Sequence, residues 1–154
     1  MNTKKELLNY YSKYKKLHSY HQQIFGKGKA PNIPVLFSES LCKLLYGMEN
    51  YSDKNCDALL GNLKIEIKAT TSESGTTTIN PYRVFDMLYW LYLDVNNDCL
   101  QVIKIPYNKF QSNFSNIDIS KDPDKKIRQS IKLKNFISEC EVECFNLKNF
   151  EKIK

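Results

Sequence analysis

Apolar and polar positions divide the chain into blocks of differing period. In residues 2–25, Leu7, Leu8, Tyr11, Tyr14, Leu17 and Tyr20 fall close to one helical stripe. Lys4, Lys5, Lys13, Lys15 and Lys16 occupy much of the remaining surface, which predicts an amphipathic helix. FGKGKAPNIP, residues 25–34, is a loop by its Gly and Pro content. FSESLCKLLYG predicts a second helix, with Ser38 as N-cap, Glu39 in the first turn, Leu41, Leu44 and Leu45 on its apolar face and Gly47 as its stop. CDALLGNLKIEIKA then reads as two strands around Gly61-Asn62, and TTSESGTTTINP as a polar loop. A helix is expected to start at Tyr82 and to give way, within residues 88–95, to a strand. Asn96-Asn97-Asp98 reads as a turn and residues 99–105 as another strand. In the tail, a loop through Asp122-Pro123-Asp124 leads into a basic segment, residues 125–136, whose pattern suits helix and strand alike. There is no internal repeat.

The hairpin carries the first chemical signal. A two-residue turn at Gly61-Asn62 pairs Leu60 with Leu63, Leu59 with Lys64, Ala58 with Ile65 and Asp57 with Glu66. One face then collects Cys56, Ala58, Leu60, Leu63, Ile65, Ile67 and Ala69, which is the core side. The other collects Asp57, Leu59, Lys64, Glu66 and Lys68. Two carboxylates face each other with Cβ atoms roughly 5 Å apart, an arrangement that destabilises a strand pair unless a cation lies between. A hard divalent ion such as Mg²⁺ takes carboxylate oxygens and keeps positions for water and phosphate. Lys68 is placed to orient a metal-bound water and to stabilise charge on a phosphate. The plainer alternative is an amphipathic strand with a solvated charged face, its acids neutralised by Lys64 and Lys68.

Composition narrows the class. With 154 residues, 42% hydrophobic and 26% charged, one globular domain is expected. No apolar run approaches a membrane span, and the basic N-terminus lacks the apolar core and cleavage site of a secretory signal. Five scattered cysteines suit free thiols in a reducing cytoplasm. A structural zinc site is the weaker alternative, since CEVEC and HSYH are not CxxC pairs and lie far apart in sequence. A net charge of +6 favours a polyanionic partner.

At Asp57 and Glu66-Ile67-Lys68 the sequence resembles the PD-(D/E)xK nuclease superfamily: an acid ending one strand, then E-x-K on the next. Cys56 stands where the family name has Pro, and Glu39 on the preceding helix matches an acid that many members add to the metal site. The resemblance covers residues 37–105. It implies an α/β (α+β) fold with a restriction-endonuclease-like core, a central mixed sheet flanked by helices. On that reading residues 1–154 form one nuclease domain, with an N-terminal helical segment (1–30), a catalytic core (37–105) and a C-terminal basic segment (106–154).

The small size and KATTSESGTTTINP further resemble type II restriction endonucleases, within them the group that cuts GC-rich sites with a central unspecified base pair. What this implies is a homodimer on double-stranded DNA, with no small-molecule cofactor, using Mg²⁺ (Mn²⁺ as a substitute) and leaving 5′-phosphate and 3′-hydroxyl ends. Asp57, Glu66 and the Ile67 carbonyl would hold the metal, Glu39 would complete its shell, and Lys68 would position the attacking water. Thr70, Thr71, Ser72, Ser74, Thr76, Thr77, Thr78 and Asn80 offer short donors and acceptors for phosphates and base edges. Gly75 would let backbone approach DNA, Arg83 suits a guanine or a surface salt bridge, and Lys27 and Lys29 suit phosphates. Lys125, Lys126, Arg128, Lys132 and Lys134 suit phosphates or a solvated face. The rival readings are a structure-selective nuclease of the same fold and a DNA- or RNA-binding module without catalysis. The stripe on the first helix suits a dimer interface and a core contact equally.

Overall fold

The computed structural model describes residues 2–51, 56–114 and 128–153. Helix α1 (Lys4–Phe25) begins where Thr3 and Glu6 cap each other's backbone N–H groups. Helix α2 (Val35–Tyr46) follows, and Gly47 ends it in the left-handed conformation with φ 63°. The strands are β1 (Glu49–Asn50), β2 (Ala58–Leu60), β3 (Leu63–Thr70), β4 (Thr76–Ile79), β5 (Met87–Asp94), β6 (Cys99–Pro106), β7 (Gln129–Lys132) and β8 (Glu141–Asn146). Six form a mixed sheet in the order β1-β2-β3-β5-β6-β8, in which only β3 and β5 run parallel. β4 and β7 form a separate antiparallel pair.

The mixed sheet is covered on both faces. Leu7, Tyr11 and Tyr14 of α1 and Phe37, Leu41 and Cys42 of α2 pack on one face against Ala58, Ile65, Ile67, Leu91 and Val102. On the other, Leu88, Trp90, Ile103 and Ile105 meet Ile79, Phe85, Phe110, Ile131 and Leu133. This second core corrects the one-sided hairpin of the sequence reading. Cys56 belongs to it and not to the helix-facing cluster, and Leu59 packs against it.

Other expectations give way to tertiary structure. Leu17 and Tyr20 are exposed, because the buried stripe of α1 drifts to His18. α2 starts earlier, after Pro34, so Ser38 is not its cap; its hydroxyl donates to the Val35 carbonyl at 3.0 Å and Glu39 lies past the first turn. Part of the polar loop is β4. The helix expected to start at Tyr82 does not form there. Asn80-Pro81-Tyr82-Arg83 is a turn, closed by Arg83 N to the Asn80 carbonyl at 3.1 Å and by Tyr82 N to Asn80 Oδ1 at 2.9 Å. Of the basic segment, residues 129–132 are strand. Asp122-Pro123-Asp124, Lys125 and Lys126 lie outside the described residues.

Asp98, in the left-handed conformation after the β5–β6 turn, ties α1 to the sheet. Its carboxylate accepts from Tyr11 Oη at 2.9 Å and Lys15 Nζ at 2.6 Å. Burial alone would raise this carboxyl, but those two bonds outweigh it and hold it below the usual range. Its stabilisation is therefore complete above about pH 4 and lost as pH falls through the lower folded value. Asp98→Asn, which tolerates the same backbone, is expected to cost about 1–2 kcal/mol at pH 7. Denaturant melts should show that difference vanish in acid. A difference constant from pH 7 to pH 2 would sink the assignment.

Candidate active site

The site is assembled by three backbone devices. The β2–β3 hairpin has the pairing that its Gly-Asn turn requires: Leu60 with Leu63, Leu59 with Lys64 and Ala58 with Ile65. The ladder does not continue as a fourth pair. Asp57 N donates to the Ile65 carbonyl at 2.9 Å, and Asp57 Oδ2 accepts from Ile67 N at 2.7 Å. The carboxylate thus takes the place of a backbone acceptor and is fixed beside Glu66. The third device is Asp86. Its carboxylate accepts from Lys64 N at 2.7 Å and its own N donates to the Lys64 carbonyl at 2.8 Å. That clamp brings the turn containing Arg83 alongside β3.

Glu66 is 1% exposed. Its Oε1 faces two cations, Arg83 Nη1 at 2.6 Å and Lys68 Nζ at 3.2 Å. Its Oε2 is buried without a hydrogen-bond partner among the described residues. Arg83 Nη1 also lies 3.7 Å from Asp57 Oδ1, so one guanidinium spans the two carboxylates. Burial first, and Asp57 second, push the Glu66 carboxyl above the ordinary range, against the pull of Lys68 and Arg83. Arg83 thus takes the salt-bridge alternative of the sequence reading, with its guanidinium directed at the two acids.

Glu39 shares a cleft of about 370 Å³ with Asp57, Ile67, Lys68, Thr77, Thr78 and Arg83. Burial and the nearby Asp57 raise its carboxyl, and Lys43 lies 3.8 Å away on the same helix. Among the described residues, no three His, Cys, Asp or Glu side chains close into a metal cage. The donor set nonetheless suits Mg²⁺, which binds through one or two carboxylates and keeps its waters. The Oε2 of Glu66, unpartnered among the described residues, is a buried carboxylate oxygen of the kind such an ion satisfies.

The cleft continues in both directions. On one side it merges with a space of about 490 Å³ lined by Asn32, Ile33, Thr70, Thr71, Ser72, Ser74, Thr76 and Thr77. On the other, Glu66, Lys68, Thr78, Asn80, Arg83 and Arg128 line a smaller space of about 240 Å³. The short hydroxyl side chains thus share a groove with the acids. Thr70 is partly committed to structure: its hydroxyl accepts from Trp90 Nε1 at 2.8 Å and donates to the Ser72 carbonyl. Gly75 is buried with φ +59° against the Trp90 ring, so its role is packing and not approach to DNA. Lys27 and Lys29 are exposed on the loop after α1 and line none of these spaces.

Sequence reasoning named Arg128 for phosphates and Arg83 for a salt bridge, but not the placement of Arg128 beside Glu66 or the two acids as the partners of Arg83. The Asn-Pro dipeptide before Tyr82 was a legible turn signal; the inward aim of Arg83 depends on the Asp86 clamp and was not.

The family model described as the Bsp6I restriction endonuclease matches residues 1–135 of this chain. No curated protein matches it.

Proposed function

The chain belongs to the Bsp6I restriction endonuclease family, and from that premise we propose that it is a Mg²⁺-dependent type II endodeoxyribonuclease acting at Asp57, Glu66 and Lys68. The observation that carries this reading is a pair of neighbouring carboxylates, Asp57 fixed by the Ile67 backbone N–H and Glu66 by Arg83 and Lys68, one with a buried oxygen unpartnered among the described residues, beside spaces lined by hydroxyl and cationic side chains. Asp57 and Glu66, with the Ile67 carbonyl, are the residues that would hold Mg²⁺, and Glu39 would reach it directly or through water. Bound there, Mg²⁺ (or Mn²⁺ in its place) would acidify a water and offset charge on the scissile phosphate. Lys68, 27% exposed and opening into the groove, orients the attacking water with its ammonium hydrogens. In-line displacement of the 3′ oxygen leaves 5′-phosphate and 3′-hydroxyl ends.

Thr71, Ser72, Ser74, Thr76, Thr77, Thr78 and Asn80 supply contacts to phosphates and base edges along the groove. Lys27 and Lys29 supply longer-range attraction. One chain carries one such site, and cutting both strands of a palindrome needs two. The exposed apolar side chains of α1, Leu17, Tyr20, Ile24 and Phe25, offer a second copy a surface to bury.

The test is incubation with plasmid and large phage genomic DNA in Mg²⁺, beside an EDTA control, with DNA binding followed separately in Ca²⁺. Discrete fragments lost in EDTA, from protein that sediments as a dimer, are the expected result. Cuts confined to branched DNA would favour a structure-selective nuclease. Binding in Ca²⁺ with phage DNA intact in Mg²⁺ would leave a non-catalytic DNA-binding module.

A further inference from the structure

We infer that Arg83 is the resident counter-cation of this site and competes with the divalent ion for the same pair of carboxylates, so that the free protein loads metal poorly until the guanidinium moves aside. The inference rests on the metal-dependent reading above and deepens it. Three observations carry it. A single Arg83 nitrogen lies 2.6 Å from Glu66 Oε1 and 3.7 Å from Asp57 Oδ1, the space an ion shared by the two acids would enter. Lys68 already serves the same Glu66 oxygen at 3.2 Å, so Oε1 has two cations while Oε2 has no hydrogen-bond partner among the described residues. Arg83 is mounted on a turn fixed by Asn80, with its side chain 30% exposed and bordering the groove. Its backbone is anchored, and its long side chain borders the space beside Glu66.

Electrostatics set the sign. Two carboxylates this close repel, and a buried one unpaired would be costly. Arg83 answers both in the metal-free chain. A divalent ion answers both more fully, but it meets a full positive charge within a few ångströms. The open space holding Thr78, Asn80 and Arg128 beside Glu66 gives the displaced guanidinium a place in which to meet a DNA phosphate. Arg83 is thus a positioning residue that would couple DNA in the groove to metal binding at the two acids.

The experiment is calorimetric titration of Mn²⁺ or Ca²⁺ into the DNA-free full-length chain, for wild type, Arg83→Gln, Arg83→Lys and Glu66→Gln, with circular dichroism as the check on folding. Arg83→Gln is expected to bind the ion roughly tenfold more tightly than wild type, through loss of the competing charge. Arg83→Lys, which keeps the charge, should stay within about threefold of wild type. Glu66→Gln should not bind. Unchanged or weaker binding in Arg83→Gln, with binding still lost in Glu66→Gln, overturns the competition and leaves the metal site standing. Equal binding by Glu66→Gln and wild type overturns the metal site itself, and this inference with it. If Arg83→Gln does not fold, Arg83→Met is titrated in its place and judged by the same tenfold gain.

Discussion

Glu66→Gln is expected to lower the rate of Mg²⁺-dependent DNA cleavage by about 10³-fold or more, a loss of about 4 kcal/mol of transition-state stabilisation. The same substitution should leave the melting temperature within a few degrees of wild type. Both halves follow from one environment. The carboxylate is 1% exposed and stands beside Asp57, so its charge is held against burial and repulsion. Glutamine has the same shape and removes the charge that is costly to bury. Lys68 retains its exposure to the groove, and Arg83 retains Asp57 at 3.7 Å. What glutamine cannot supply is an anionic oxygen for a hard cation. A structural acid gives the opposite pattern, with stability lost and cleavage kept. Single-turnover cleavage beside a thermal melt distinguishes them, and a Glu66→Gln chain that cuts within tenfold of wild type would remove Glu66 from the chemistry.

The hairpin was legible because three local signals agree there: the Gly-Asn turn, strict alternation, and an apolar set that fits only one register. Asp57, Glu66 and Lys68 followed from that register, and the Glu39 helix and the mixed sheet from the motif around it. The strand expected within residues 88–95 forms as β5, but the helix expected before it does not, because alternation is weak where a strand is covered on both faces. MLYWLYLD of β5 lies between the two cores, so its apolar run carries no period by which to tell strand from helix. The environment of Glu66 was hidden as well. Glu66 is 1% exposed on a face that reads as charged and open, while Lys64 and Lys68 on the same face stay partly exposed. Arg83 was visible as a residue but not as a partner of the acids, because its aim depends on a clamp between Asp86 and Lys64 across two strands.

Gly75→Ala tests how far the groove depends on that second core, and it is expected to cost about 3 kcal/mol of stability. A Cβ built on Gly75 would lie 2.4 Å from Trp90 Cζ2 and 2.8 Å from Cε2 and Cη2. The indole has no room to yield: Trp90 is 0% exposed and its Nε1 donates to Thr70 at 2.8 Å. The backbone is equally committed, since the Gly75 carbonyl accepts from Leu133 N at 3.3 Å and Gly75 N donates to the Ser72 carbonyl at 3.1 Å. Relief by moving the loop therefore breaks its tie to residue 133, and relief by moving the ring breaks the bond to Thr70. For a chain of this length, about 3 kcal/mol is a fall in melting temperature of roughly 6–12 °C. Gly61→Ala is the control. It has the same φ of +59° but nothing within 4 Å of the added methyl, so only the backbone cost of about 1–2 kcal/mol applies. Because Thr70, Ser72 and Ser74 line the groove, Gly75→Ala should also weaken Ca²⁺-supported DNA binding at temperatures where the variant is fully folded. Gly61→Ala should not. Equal melting temperatures for the two variants would mean that the Trp90 contact can relax freely, and the Thr-rich wall of the groove would then owe its shape to β4 and β7 alone.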